Sequence, residues 1–436
     1  MRRFVPHLIF VGVTLLGIAW AVPVAMALPL ADGATDYNAA GFLVRHSWVK
    51  FARVATRPFR DELSEPEKDA RVARFFELNG LIVEQERIAG DAATDPATAE
   101  GARADDAALR RERARIENSV EEILNGRLTA VLEDQGLTRH IGRDVVWPPV
   151  SIEFEDPPAV LVESPRTEIR REHERLVQGN LPVSEKVRLE GEAESDGATS
   201  ALVVEIGAIA MYPAIIPPGA DYRAVLGTIA HEWVHHYLYF SPLGRNFYDG
   251  DKLVTLNETV ANIVGDEVGE AMYERYPLER GPAYVTSANL REPFDAGGGG
   301  ALRGNHVVTT RFFPDAERRD SIAPLRMTAE FDYRAEMHGL RVEVDSLLAA
   351  GKVEAAERVM EERREAFVAN GYYIRRINQA YFAFHGSYAD TPAASDPIGP
   401  KMQRLREGSA SVKVFLERAR QITSEDALDE VLGSRF

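Results

Sequence analysis

His231-Glu232-Trp233-Val234-His235 is the stretch on which the reading of this chain turns. In a helix, residues i and i+4 share a face, so the two imidazoles can close on a single metal ion. Glu232 stands about 100° round the helix from His231. There it can serve a metal-held water without being a ligand itself. The flanks support a helix: Ala224 to Ala230 leads in without a proline, Tyr237-Leu238-Tyr239-Phe240 carries it on, and Pro242 and Gly244 stop it. His236 lies about 140° from His231 and is expected to point away from the metal.

Two histidines do not complete a hydrolytic zinc site, which takes three protein ligands and keeps one position for water. Downstream, Leu256-Asn257-Glu258-Thr259-Val260-Ala261-Asn262 opens another helix. The interval allows a turn, a loop and an antiparallel return that can bring Glu258 back over the metal. This pair, His-Glu-x-x-His on one helix and Asn-Glu-x-x-Ala on the next, resembles the gluzincin superfamily of metallopeptidases. It is most similar to the bacterial predicted zinc aminopeptidases, some of them membrane-anchored. The motif-bearing similarity covers about residues 200–275, and the region 326–390 is similar less diagnostically.

The resemblance implies a zinc-dependent peptidase acting on peptides or proteins, with His231, His235 and Glu258 as zinc ligands and Glu232 as general base. The chain departs from the family pattern twice. Thermolysin-like members carry an aspartate four residues after the glutamate ligand to support a histidine; here that position is Asn262, which accepts a hydrogen bond but adds no charge. Classical aminopeptidases carry an edge-strand glutamate for the substrate amine. The comparable stretch here, Gly207-Ala208-Ile209-Ala210-Met211, has none, and Glu205 is the nearest carboxylate. Endopeptidase and aminopeptidase action both stay open. A donor for the tetrahedral oxyanion, often Tyr or His in gluzincins, is sought in the aromatic block Asn370 to Tyr388, where Tyr372, Tyr373, Tyr381 and His385 are candidates. Each taken alone is better suited to packing than to catalysis, because aromatic stripes usually pack.

At 436 residues and 45% hydrophobic content the chain can bury a full core divided into two or three subdomains. A net charge of −17 argues against a nucleic-acid partner, since no basic excess exists to displace phosphate counterions. The absence of cysteine excludes thiol catalysis, thiolate metal sites and disulfides. No Gly-x-Ser-x-Gly elbow is present. Met1-Arg2-Arg3 precedes an uncharged run from Phe4 to Ala31, long enough to span a bilayer, while Ala25-Met26-Ala27 resembles a signal-peptide cleavage site. The protein is expected to be membrane-anchored by this one segment with its catalytic part extracytoplasmic, or secreted if the segment is cleaved.

The expected fold is α+β, mainly helical, with a small mixed sheet packed on the helix that bears the two histidines. The segments are a signal-anchor or signal peptide at 1–31, a helical region at 37–142, the catalytic region at 143–280, an irregular linker at 281–325, a helical hairpin with the aromatic block at 326–390, and a tail at 391–436. Gly90 to Ala108, without an apolar period, reads as a loop, as does Gly297-Gly298-Gly299-Gly300. Strands are expected at Val145–Pro149, Val150–Phe154 and Ala159–Val162, and over Ala201–Tyr212 as one long strand or two short ones. The last can serve as an edge that holds an extended peptide across the metal, or as an ordinary core strand. Two long helices from Thr328 break near Ala349-Ala350-Gly351, and the tail reads as loop before a final short helix. The rival reading is a non-catalytic, membrane-tethered zinc-binding or scaffold protein. It accounts for the missing edge-strand glutamate but not for the survival of both histidines, Glu232 and Glu258 together.

Overall fold

The structure, a computed structural model, describes residues 35–43, 45–46, 50, 63–90, 94–141, 145–219, 221–247, 249–278, 331–389, 391–395 and 397–433. The apolar N-terminal run and the linker with its glycine tract lie outside the described residues. Among those described, no helix is long and apolar enough to cross a membrane. The fold is α+β and mainly helical, as expected. The strands among the described residues divide into three small sheets.

Helices α1 (Glu65–Gly90) and α2 (Pro96–Asp134) pack on each other through Val72, Phe75, Phe76 and Leu78 on one side and Val120, Leu124, Leu128 and Leu132 on the other. The expectation of a loop from Gly90 to Ala108 is corrected here: helix α2 begins at Pro96. Asp95 caps it, accepting from the backbone N–H of Ala97 at 3.1 Å and of Thr98 at 3.0 Å, with proline in the first turn where its missing N–H costs nothing. An alanine-rich turn needs no apolar period to be helical, because alanine has the highest intrinsic propensity.

Strands β1 (Arg139–Ile141) and β2 (Val145–Trp147) form an antiparallel pair, and β3 (Ile152–Phe154) runs parallel to β7 (Ala214–Ile216). The third sheet places β4 (Ala159–Pro165) between β5 (His173–Val177) and β6 (Thr199–Glu205), both antiparallel to it. β5, and helix α3 (Val183–Ala193) after it, fall in a polar stretch that gave no strand signal; β5 is an edge strand whose first residues are exposed. β6 is shorter than the expected strand. Its partner β4 ends at Ala159, preceded by Pro157-Pro158, which have no N–H to donate, so pairing stops at Glu205. Residues 206–212 continue as irregular chain with one bridge, Ile209 to Ile215.

Two cores result. In the first, α4 (Tyr222–Tyr239) and α6 (Asp251–Arg275), linked through the short α5 (Pro242–Arg245), pack with α1 and α2. Helices α10 (Ile398–Glu407), α11 (Val412–Ala419) and α12 (Glu425–Gly433) join them through Met402, Leu405, Phe415 and Leu428. The tail is therefore largely helical rather than loop. Pro397 precedes α10 and Pro400 sits in its first turn, where proline starts a helix instead of breaking it. In the second core, α7 (Tyr333–Ala349), α8 (Val353–Ala369) and α9 (Gln379–His385) cover the β4–β6 face around Val162, Leu202, Phe367 and Phe382.

The segment near residue 40 docks through Phe42 and Leu43 onto Met211, Tyr212 and Ile215. Charges reinforce it: His46 meets Glu153 at 2.9 Å and Glu155 at 3.1 Å, and Lys50 meets Glu121 at 2.6 Å and Glu153 at 2.8 Å. Burial alone would depress the His46 imidazole, but its hydrogen bonds to the Glu153 and Glu155 carboxylates outweigh it and push its pKa up to about 9. A histidine raised above its unfolded value of about 6.5 stabilises fully below that pH, and its contribution is lost as pH rises through about 9. Amide exchange of residues 39–46, corrected for the intrinsic pH dependence, is therefore expected to accelerate across this window. In His46→Gln that acceleration should vanish.

Candidate metal centre

Helix α4 starts where the Asp221 side chain accepts from Ala224 N–H at 3.1 Å, and it closes where Ser241 Oγ donates to the Leu238 carbonyl at 2.5 Å. Its pairing with α6 is close. A Cβ on Gly265 would stand 2.9 Å from His231 Cα, and one on Gly269 would stand 2.6 Å from Gly227 Cα. Only glycine at these positions lets the two backbones approach so far, since interaxial distance follows side-chain size at the contact. The crossing sets Glu258 on α6 opposite the two histidines on α4.

The three expected ligands converge. His231 Nε2 lies 3.0 Å from His235 Nε2, and Glu258 Oε2 lies 3.5 Å and 3.6 Å from these two nitrogens. Among the described residues this is the only group of three such side chains able to hold an ion. Ligand atoms around a tetrahedral zinc ion bound at ~2.0–2.1 Å stand roughly 3.3 Å apart, and the three separations bracket that spacing. Two imidazoles and a carboxylate are also the donor set of hydrolytic zinc sites. The residues fit the metal.

Asn257, one residue before the glutamate, accepts from His235 Nδ1 at 2.8 Å, which turns the Nε2 lone pair toward the other ligands. Asn262, which the sequence offered for such support, does not supply it: the buried Nδ1 of His231 has no hydrogen-bond partner. Burial opposes the charge on Glu258, but His235 and then His231 hold its carboxyl well below the ordinary range. Burial likewise opposes the charge on His235, and Glu258 overrides it, pushing the imidazole up to about 9. A proton and a metal ion compete for that nitrogen, so metal uptake releases protons.

Glu232 is buried beside the ligands at 5% exposure. Burial raises its carboxyl above the ordinary range against the pull of His231 and His235, with Glu258 adding to the rise. A raised carboxyl is what a base working near neutrality needs. His236 faces elsewhere, as its helix position predicts: its Nε2 donates to the Met211 carbonyl at 2.8 Å and to that of Ala210 at 3.3 Å, tying the irregular 206–212 segment to α4. Burial pushes it down to about 4, so it stays neutral.

Three of the four aromatic candidates take packing positions, and the fourth, Tyr373, faces solvent. Tyr372 stacks on Tyr333 with ring centroids 4.7 Å apart, Tyr373 is 37% exposed, and Tyr381 lies 4.3 Å from His385. Burial holds His385 down to about 4, with Arg171 adding to the effect. The aromatic that shares the electrostatics of the centre is Tyr388, at the end of the same block. Burial first, then the Glu258 carboxylate and, more weakly, that of Glu232, raise its phenol well above the usual range; Arg171 opposes. Sequence reasoning passed over it because nothing local separates it from its neighbours.

The outer edge of β6 is not free for a peptide. Val203 N–H donates to Glu190 at 2.7 Å, Ala201 N–H donates to Glu194 at 2.9 Å, and the Ala201 carbonyl accepts from Asn378 at 2.9 Å. Glu205 pairs with Lys186 at 2.8 Å, both largely buried.

Comparison of the chain with protein-family models, with curated proteins and with solved structures finds no match.

Proposed function

We propose that the protein is a zinc-dependent peptidase that cleaves internal peptide bonds, acting outside the cytoplasm behind the apolar Phe4–Ala31 segment. The observation that carries this reading is the convergence of His231, His235 and Glu258 with a buried, raised Glu232 carboxyl beside them. Zinc held by those three residues would polarise the scissile carbonyl and lower the pKa of water to about 7. Glu232 takes the proton of the attacking water and delivers it to the leaving nitrogen. Tyr388, kept protonated by its surroundings, donates to the oxygen on which negative charge develops. Asn257 holds the His235 ring in the tautomer that leaves Nε2 open.

A preference for internal bonds follows from the charges. A free substrate amine needs an unspent carboxylate, and Glu205 is committed to Lys186. Residues 206–212 carry no other. Paired peptides of one sequence, one N-acetylated and one free, are expected to be hydrolysed at similar rates by the zinc-loaded protein, as followed by chromatography. Chelation should stop both reactions and added zinc restore them. Cleavage confined to free amino termini would contradict the internal-bond assignment. No cleavage of any peptide at full zinc occupancy would contradict the peptidase reading.

A further inference from the structure

With the outer edge of β6 occupied, a polypeptide substrate needs another surface beside the metal ligands. Helix α4 offers one. Its partly exposed face carries Thr228, His231 and His235, and the helix ends in Tyr239, one turn beyond His235 on the same face. Tyr239 is 38% exposed, and Phe240 after it is 41% exposed. Among the described residues they are the only neighbouring pair of aromatic side chains left so open to solvent.

The pair belongs to a longer aromatic run. Tyr239 and Phe240 meet edge to face with ring centroids 5.4 Å apart, and Phe240 lies 5.1 Å from the half-buried Trp147 at the end of β2. At the ligand itself, the half-buried Phe247 between α5 and α6 stands perpendicular to the His235 ring, with centroids 6.4 Å apart. Aromatic surface thus flanks His235 from the following loop and from the next turn of its own helix. Apolar side chains exposed singly are ordinary, but a contiguous run that begins beside a metal ligand marks a binding surface. Its offset decides what it meets. Tyr239 lies ~6 Å along the helix axis from His235, and two further rings extend the run. An extended chain advances ~3.3–3.6 Å per residue, so these rings meet substrate residues about two to four positions from the cleaved bond.

We infer that Tyr239, Phe240 and Trp147 form a secondary substrate-binding strip, which takes a bulky apolar side chain, aromatic above all, about two to four residues from the cleaved bond. The inference rests on the peptidase reading, and its test separates the two. In the full chain loaded with zinc, N-acetylated peptides of one sequence are compared while a single Phe is walked outward from the cleaved bond. A gain of roughly 10-fold in kcat/KM is expected at those positions on one side of the bond, and none at the same positions on the other. The gain should lie in KM, because the strip touches no reacting atom. The double variant Tyr239→Ser with Phe240→Ser changes two exposed side chains, so it should keep its zinc and lose the gain. A gain that ignores position, or that survives the double variant, would overturn the inference. Trp147 supplies a readout without turnover. In Glu232→Gln, Phe-bearing peptides should shift the Trp147 emission, isolated as the difference from a Trp147→Phe control, more than the Phe-free parent does. Equal or absent shifts would overturn the strip. A shift caused by phosphatidylcholine vesicles and not by peptides would give the aromatics to a membrane surface and overturn it as well. If the wild-type protein cleaves no peptide, the peptidase reading fails and the Trp147 emission alone still decides the strip.

Discussion

Glu232→Gln is expected to bind zinc as the wild-type protein does and to lose hydrolysis by roughly 10²–10⁴-fold, the usual contribution of a general base. Glutamine keeps the shape and volume of the side chain, so the α4 packing is preserved. It cannot take a proton, which is the whole of the assigned role. Glu232 lies outside the set of converging ligands, so its loss leaves the metal donors intact. Because burial raises its carboxyl, an amide should be tolerated there at least as well, and thermal stability is expected to hold or rise. The same rise fixes the sign of the acid limb. Activity should fall as the pH drops through the Glu232 pKa, at a higher pH than the ~4.3 of an ordinary glutamate. Single-turnover kinetics beside zinc analysis checks both parts. A Glu232→Gln protein with zinc and undiminished turnover would remove the residue from the mechanism.

Tyr388→Phe carries the second large effect, a loss of roughly 10²–10³-fold in kcat with zinc content and KM little changed. The substitution removes one hydroxyl and keeps the half-buried ring, so the second core has no reason to loosen. The hydroxyl donates only while protonated. Burial, with Glu258 and then Glu232, secures that state throughout the pH range in which the protein would work. The loss should therefore be nearly independent of pH, unlike that of Glu232→Gln. Comparable losses in Tyr372→Phe or Tyr381→Phe, with Tyr388→Phe unaffected, would return the role to the packing tyrosines.

The contrast between Glu232 and Tyr388 shows which parts of the site were legible in the sequence. His231, Glu232 and His235 could be read because helical spacing alone puts them on one face. Glu258 could be read because it lies on the next long helix, although that helix begins at Asp251 rather than at Leu256, and a short connection leaves two helices few ways to pack. Tyr388 could not, because its relation to Glu258 and Glu232 is made by the tertiary fold and leaves no mark in the local sequence. The Asn257 contact was hidden for a related reason: the choice between Asn257 and Asn262 depends on how α6 is rotated against α4. Gly265 and Gly269 fix that rotation, and they mark no periodicity. In the fold, the long apolar helices were legible, and α2 was truncated only because its first turns are alanine-rich without an apolar stripe. β5 was invisible because its exposed first residues, His173 and Glu174, and its single fully buried residue, Val177, leave too few apolar positions to show an alternation. The three-helix tail was obscured by prolines that begin helices as readily as they end them.

The zinc content of the purified protein, beside that of Glu258→Ala, tests the central claim most directly. About one zinc per chain in the wild type, lost or much weakened in the variant, is the result that the converging ligands predict. Equal zinc in both, or none in the wild type after reconstitution, would contradict it and reduce His231 and His235 to structural residues of α4.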